Sequence, residues 1–265
     1  MAHWSVFFND IPQRMAGLFS GDEAVWTVLD NLKTFLRDTI KPNLPDNISP
    51  GVPVETPIAL LPGGWLNDGF ETVCNDDTKG KIQVWIEGEK VPEATVICAG
   101  AVFVDFRVEV GQGVIIEPGA LLKGPVIIGD NTEIRQGAYI REDCLVGSGC
   151  VIGHTTEIKH SVFLNGAKAG HFAYVGDSIL GNQVNLGAGT KLANLRFGPG
   201  SVRIKLDNGQ SLDTKRRKLG AILGDNVQTG CNSVMNPGVL LGQGSMICPN
   251  TTVSPGLYKP RTILR

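Results

Sequence analysis

The sequence predicts an all-β fold, a β-helix of hexapeptide repeats preceded by a small N-terminal α/β cap region. Two observations predict this fold. Aliphatic residues recur at every sixth position over much of the chain. Glycine is abundant, with 34 residues, whereas aromatic residues make up only 6%. Abundant glycine together with many valines and isoleucines indicates short strands joined by tight turns.

The period of six is the stronger signal. A helix would repeat its apolar positions at spacings of three and four, and a half-buried strand at a spacing of two. A coil with three flat sides explains the spacing, because each side points one aliphatic residue inward. Stacked coils of roughly 18 residues then bury one continuous column. The first series of predicted inward positions is Val104, Val110, Ile116, Leu122, Ile128, Ile134, Ile140, Val146, Ile152, Ile158 and Leu164.

Two interruptions divide the repeat. The spacing of six residues is lost between Leu164 and Val175, where we expect a broken coil. A longer insertion, rich in lysine and arginine, separates Asn194 from Leu219, and its Asp207–Gly209 segment predicts a hairpin turn. A charged insertion is often only a solvated face, but extra chain in repeat proteins also maps to binding faces. The predicted domains are the cap region 1–92 with one helix and the β-helix 93–265, with a basic hairpin insertion at 195–218.

The cap region contains one amphipathic segment. Apolar residues at helical spacing predict a helix over Asp22–Ile40. Ser20 is its expected N-cap, and Glu23 is placed to close a capping box. We expect the region to cover the open first coil, because a bare coil edge invites aggregation.

Composition excludes several partner classes. The formal net charge of −2 provides no overall attraction to nucleic acid or to an anionic membrane. No apolar run approaches the roughly 18 residues that span a bilayer. The N-terminus shows no basic segment followed by an apolar one, so we expect a cytoplasmic protein without nucleic-acid or membrane partners.

The histidines offer two hypotheses. His154 and His160 lie one hexad apart, which resembles the γ-class carbonic anhydrases, but Asn165 occupies the place of the next ligand, so no metal site is expected. His171 falls inside the first interruption, with Arg141, Glu157, Lys159, Tyr174 and Asn185 on nearby hexads. A lone histidine is more often structural. A base, a carboxylate and two cations nevertheless suit an anionic substrate that loses a proton.

A specific resemblance covers about residues 93–254. Arg141, Glu157–Lys159, Lys168–Asp177, Val184–Thr190 and Asn194 resemble, without a gap, the acetyltransferase domain of bifunctional N-acetylglucosamine-1-phosphate uridyltransferase/glucosamine-1-phosphate acetyltransferases. The segments 194–197 and 216–225 are more similar to archaeal bifunctional sugar-1-phosphate nucleotidylyltransferase/acetyltransferases. The nucleotidyltransferase half has no counterpart here, so the UTP-dependent step is not expected.

The resemblance implies a left-handed β-helix, a homotrimer and active sites between subunits. It makes His171 the general base, with Glu157 raising its basicity. Acetyl-CoA is the implied acyl donor, and no metal is required. The implied substrate-binding residues are Arg141, Lys159, Tyr174, Asn185, Asn194 and Arg203. The implied cofactor-binding residues, which line the acyl-CoA groove, are Ala188, Cys231 and Pro249.

The function expected from this resemblance is acyl-CoA-dependent N-acyl transfer, in nucleotide-sugar biosynthesis, to an amino-sugar 1-phosphate. Glucosamine-1-phosphate and galactosamine-1-phosphate are the candidate substrates. Backbone N–H groups of the Gly187–Gly189 turn are expected to stabilise the tetrahedral oxyanion. The alternative function is a non-catalytic sugar-phosphate-binding or regulatory protein that partners a separate nucleotidyltransferase.

Overall fold

The fold is a left-handed parallel β-helix of about nine coils, which confirms the predicted fold class. A computed structural model describes residues 2–74, 82–206 and 208–265, so Asp207 of the expected hairpin turn lies outside the described residues. Each coil passes through three faces, here called A, B and C in chain order. Within a face, strands from successive coils pair in parallel along the axis.

Short strands build each face. Face A contains Thr95–Ile97, Ile115–Ile116, Glu133–Ile134, Val151–His154, Lys168–His171, Asn185–Leu186, Gln228–Thr229, Met246–Ile247 and Ile263–Leu264. Face B contains Val102–Phe103, Leu121–Leu122, Tyr139–Ile140, Glu157–Lys159, Tyr174–Gly176, Lys191–Leu192, Val234–Met235 and Thr252–Val253. Face C contains Val108–Val110, Val126–Ile128, Cys144–Val146, Ser161–Phe163, Ile179–Leu180, Ala221–Leu223, Val239–Leu241 and Gly256–Tyr258.

The inward column follows the predicted positions except at two of them. Val104 is 39% exposed, and Phe103 is the residue that fills the core in its place. Leu164 is buried, but it belongs to a cluster on the outside of the helix, whereas Phe163 pairs with Val146 and faces inward. Both predictions were wrong because two adjacent apolar residues compete for one inward place, and the sequence does not reveal which one wins.

The coil that contains His171 is not broken, contrary to the sequence-based expectation. The step from Ile158 to the inward Phe163 is five residues, and steps of six then lead through Ala169 to Val175. The turn after Ile158 is one residue shorter than the turn after Ile140. His171 therefore ends a regular strand that pairs with a strand of the coil below.

Face C carries a second apolar row, on its outer side. Strands alternate their side chains between two sides of a sheet, so the residue just before the inward one on each face C strand points outward. This outer row is buried under the N-terminal segment and under the insertion. Its members are Ile127, Leu145, Val162, Ile179, Ile222 and Leu240. Runs of three apolar residues, such as Val126–Ile128, are its signature in the sequence.

The N-terminal helix lies along face C and covers this outer row. It spans Thr27–Thr39, and its buried residues include Leu29, Leu32 and Leu36. The predicted start and capping box were wrong. Ser20 follows the 3-10 helix Gln13–Phe19, and its hydroxyl donates to the Gly17 carbonyl. Residues 21–26 form bends and a bridge between His3 and Ala24 instead of a first helical turn.

The open end of the first coil is covered by the segment that follows this helix. Ile48, Val54 and Ile58 join the inward core there. The strands Ile58–Leu61 and Gly64–Leu66 form a hairpin that pairs antiparallel with the first strand of face A.

Two small sheets lie outside the β-helix. A three-stranded sheet of Glu71–Cys74, Ile82–Ile86 and Glu89–Lys90 belongs to the N-terminal region. The insertion forms the antiparallel pair Arg203–Lys205 and Ser211–Asp213. The bridge between Leu195 and Lys218 closes the base of the insertion. Within the described ranges, no helix has the length and apolarity that crossing a bilayer requires.

The outer row should stabilise the protein as a true core does. Leu145→Ala should lower the free energy of unfolding by about 2–5 kcal/mol, because Leu145 is fully buried under the N-terminal segment. Val104→Ala, at an exposed aliphatic position, should cost less than about 1 kcal/mol. Urea unfolding measures both variants. Equal, small losses would show that the N-terminal segment does not pack on face C in solution.

Candidate functional site

Among the predicted residues, Lys159 and Asn194 lie at the turns that join faces B and C, here called the B–C edge. Two consecutive turns at this edge are tight, and each has a residue with positive φ, His160 at 45° and Asp177 at 46°. The insertion leaves the β-helix at the same edge one coil later, directly after Asn194. The Gly220 N–H, where the insertion returns, donates to the Asp177 carbonyl at 2.8 Å. The insertion is thereby anchored beside Asp177.

A buried carboxylate, Asp177, organises this edge. Asn194 Nδ2 donates to Asp177 Oδ2 at 2.6 Å. Lys159 Nζ lies 3.8 Å from the same oxygen, and Arg216 Nη2 lies 3.6 Å from Oδ1. The Asp177 side chain is only 6% exposed, so these partners offset the cost of burying its charge. Sequence reasoning missed Asp177 and Arg216 as individual site residues, although both lie in the segments that carry the resemblance.

The outer side of face B carries the other predicted substrate residues. Successive strands align Tyr139, Glu157, Tyr174 and Lys191 in register. Arg141 lies two residues beyond Tyr139, and its Nη1 donates to Glu157 Oε1 at 3.1 Å. This hydrogen bond raises the pKa of the Arg141 guanidinium, and the charges of nearby carboxylates add to the effect. The Arg141 charge is therefore held on face B.

Tyr174 joins face B to the Asp177 group. Its hydroxyl donates to Asn194 Oδ1 at 3.4 Å. Burial raises the pKa of the Tyr174 phenol, and the nearby carboxylates of Glu157 and Asp177 raise it further. The hydroxyl therefore stays protonated near neutral pH and remains a donor.

Gly176 provides the space in which Tyr174 and Asn194 meet. A Cβ atom at this position would lie 2.7 Å from both Asn194 Nδ2 and Tyr174 Oη. Those distances are shorter than van der Waals contact, so any larger residue would push the two side chains away. The glycine is required here by the close approach of side chains, whereas its φ is ordinary.

The turns between faces A and B, here called the A–B edge, hold the predicted base and the predicted cofactor-binding residues. The Gly189 N–H donates to the His171 carbonyl at 3.0 Å, which places the Gly187–Gly189 turn one coil beyond His171. Asn232 N–H donates to Ala188, and Asn250 N–H donates to Cys231. Ala188, Cys231 and Pro249 therefore follow His171 along one edge.

Two predicted residues, Asn185 and Arg203, stand apart from these groups, and a third, Glu157, does not hydrogen-bond to the predicted base in the described residues. Glu157 is bonded to Arg141, and no hydrogen bond joins it to His171 within the described chain. Asn185 is exposed on face A, in register with Lys168 and Gln228. Arg203 lies on the exposed hairpin, where Nη1 is 3.6 Å from Asp213 Oδ2. A single chain thus does not unite all predicted site residues.

The Gly187–Gly189 turn offers one of the oxyanion donors expected from the sequence, because its other two backbone N–H groups already have acceptors. The Gly187 N–H donates to the Thr229 carbonyl at 2.9 Å, and the Gly189 N–H donates to the His171 carbonyl. In the described chain the Ala188 N–H is the one group of this turn without an acceptor.

The two histidines of the metal hypothesis do not converge. His154 ends a face A strand, and its Nδ1 lies 3.1 Å from the Gln136 carbonyl. His160 lies at the B–C edge, with Nε2 2.9 Å from the Leu29 carbonyl of the N-terminal helix. A spacing of six residues moves a side chain to the next face, so the pair is separated by the width of face B. In residues 2–74, 82–206 and 208–265, no cluster of three His, Cys, Asp or Glu side chains is placed to hold a metal ion.

Comparison with known proteins confirms the resemblance found in the sequence. The family model described as the GMPPB C-terminal domain matches residues 122–263. The bifunctional sugar-1-phosphate nucleotidylyltransferase/acetyltransferase of Sulfurisphaera tokodaii is 44% identical over 94 residues, 36% of this chain and 23% of that protein. The bifunctional protein GlmU of Methanococcus vannielii is 41% identical over 101 residues, 37% of this chain and 23% of that protein. The chain therefore spans less than a quarter of the length of these relatives.

Solved structures resemble the chain more distantly. The UDP-N-acetylglucosamine acyltransferase of Campylobacter jejuni is 20% identical, with a TM-score of 0.42, and the match covers 60% of this chain and 67% of that one.

Gly176→Ala should disrupt the contact between Tyr174 and Asn194, because the new methyl group would occupy their space. We expect a loss of about 1–3 kcal/mol in the free energy of unfolding and, in a crystal structure of the variant, a separated Tyr174–Asn194 pair. Gly170→Ala, on the preceding face A strand, is the matched control, since a Cβ there meets nothing within 4 Å. If the two variants behave alike, the close packing at Gly176 is not present.

Proposed function

Because the chain belongs to the GMPPB C-terminal domain family, we propose that it is an acyl-CoA-dependent N-acyltransferase that acts on an amino-sugar 1-phosphate. The observation that carries the proposal is the polar outer side of face B, which combines the Arg141–Glu157 pair with the Tyr174–Asn194–Asp177–Lys159 group. A relative named as a sugar-1-phosphate nucleotidylyltransferase/acetyltransferase supports this substrate class. Acetyl-CoA is the proposed donor.

The proposed reaction begins with the substrate's ammonium group. His171 takes a proton from it, because imidazole exchanges protons near neutral pH. The freed amine attacks the thioester carbon and the carbon–sulfur bond breaks. The new amide nitrogen releases its second proton to solvent, and His171 returns the first proton to the departing CoA thiolate. His171 is exposed at the A–B edge, so a substrate can reach it. The Ala188 N–H, one coil away, is the donor that we assign to the developing oxyanion.

Substrate binding is assigned to both edges of face B. Arg141 and Lys159 supply the positive charges that a phosphate requires. Tyr174 and Asn194 supply hydrogen-bonding groups for the sugar, and Asn185 of face A is proposed to add another. Arg203 is proposed to contact the phosphate from the hairpin, where it is 53% exposed and contacts the hairpin side chains of Ser211 and Asp213.

A trimer is proposed to complete the site. The groups at the two edges of face B are separate within one chain, and Glu157 is bonded to Arg141 instead of His171. A neighbouring copy would bring an A–B edge with His171, Ala188, Cys231 and Pro249 against a face B from another chain. The proposed role of Glu157 in raising the basicity of His171 then belongs to the assembled trimer.

The alternative function is a sugar-phosphate-binding or regulatory partner of a separate nucleotidyltransferase. The engagement of Glu157 by Arg141 favours it, because in the described part of the chain this carboxylate makes no hydrogen bond to His171. Such a protein would bind the amino-sugar phosphate and release no thiol from acetyl-CoA.

His171→Ala should reduce acyl transfer about 100-fold or more, as expected for loss of a general base. The assay measures free thiol released from acetyl-CoA with glucosamine-1-phosphate or galactosamine-1-phosphate. His154→Ala, one coil earlier at the same edge, is the control and should keep most of the activity. Near-normal kcat for His171→Ala at neutral pH would make His171 a structural residue.

Light scattering at micromolar concentration should give a mass near three times the 28.3 kDa of one chain. The physical reason is that each pocket is proposed to need groups from two copies. A stable, fully active monomer would refute the shared site.

A further inference from the structure

The N-terminal helix touches the candidate site through one arginine. Arg216, near the end of the insertion, forms an ion pair with Asp30 of the helix through Nη1. Its Nη2 lies 3.6 Å from Asp177 Oδ1, and its Nε donates to the Lys218 carbonyl at 3.1 Å. One guanidinium therefore connects the helix, the base of the insertion and the buried carboxylate.

The Arg216 guanidinium holds parts of the protein together and does not serve as a binding site for a substrate anion. All three of its nitrogens face acceptors of the protein, and its side chain is only 12% exposed. A guanidinium that reads a phosphate must present free N–H groups to solvent. Arg203, on the exposed hairpin, has that accessibility, whereas Arg216 does not.

The position of the Asp177 carboxylate determines the orientation of the Asn194 side chain. An ionised carboxylate only accepts hydrogen bonds, so Asn194 must turn its amide nitrogen toward Asp177. Its amide oxygen then faces the Tyr174 hydroxyl. The orientation of Asn194, and with it the pattern of donors and acceptors that a sugar meets, depends on where Asp177 is held.

The helix is held at this edge by a second contact. His160 Nε2 lies 2.9 Å from the Leu29 carbonyl, next to Asp30 in the chain. His160 precedes Ser161 at the tight turn one coil before Asp177. The helix is thus attached to the two consecutive turns that carry Lys159 and Asp177.

We infer that Asp30 and Arg216 are positioning residues for substrate binding, and that they act through Asp177 on the orientation of Asn194. This assigns the N-terminal helix a role in the site, beyond covering face C. The substrate part of the inference rests on the proposed function. The orientation of Asn194 does not depend on it.

The first test reads Asn194 directly. In protein labelled with ¹⁵N-asparagine, the side-chain amide resonance of Asn194 is identified by its loss in Asn194→Asp. Asp30→Asn and Arg216→Ala should both shift this resonance. Asp38→Asn, on an exposed ion pair of the same helix, and Arg217→Ala, exposed beside Arg216, should leave it in place. An unmoved resonance in folded Asp30→Asn protein would overturn the inference, whatever the activity.

The second test uses turnover. Asp30→Asn should raise the KM for the amino-sugar phosphate roughly 3- to 30-fold, with the KM for acetyl-CoA unchanged. Arg216→Lys should recover part of the loss seen in Arg216→Ala, because it keeps the charge but not the planar fork. If Asp30→Asn lowers only the melting temperature, the helix is merely structural and the inference is wrong. An inactive wild-type protein would instead refute the proposed function and leave the resonance test to decide the inference.

Discussion

The structure depends on one geometric constraint, that nearly every short strand points an apolar side chain into the central column. Because strands alternate, the residues on either side of an inward one are forced outward at fixed heights along the axis. On face B this rule brings Tyr139, Glu157, Tyr174 and Lys191 into one line. The core thereby sets the spacing of the polar groups, and the site uses positions that the core leaves free.

The sequence predicted the fold well because the constraint repeats. Each coil shows the same period, so the signal accumulates even though single inward positions, such as Val104 and Leu164, were assigned wrongly. The sequence located the N-terminal helix but not its start at Thr27. Residues 21–26 bend instead, and Ala24 forms an antiparallel bridge with His3. The side of the β-helix on which it packs was also not predicted, because a second apolar row on face C is visible only when the register is known.

The candidate site was predictable only in part. The resemblance named the side chains of the outer face B, which lie in one continuous segment. Asp177 and Arg216 escaped notice because their importance comes from a contact between distant parts of the chain. Burying the Asp177 carboxylate requires cations, and one of them comes from the insertion and is itself neutralised by Asp30. Charge compensation of this kind has no local pattern in the sequence.

The packing of the N-terminal segment on face C changes how such a chain can fold. A solenoid contacts mainly its neighbouring coils and can grow coil by coil from any point. Here the Asn9 N–H donates to Asp225, and the Asn9 side chain accepts from Gln243, near the opposite end of the chain. The segment that contains Asn9 therefore cannot finish docking until the coils that contain Asp225 and Gln243 exist. A fold with local topology acquires a slow, non-local closing step, during which the apolar outer row of face C stays open to chaperones or to other chains.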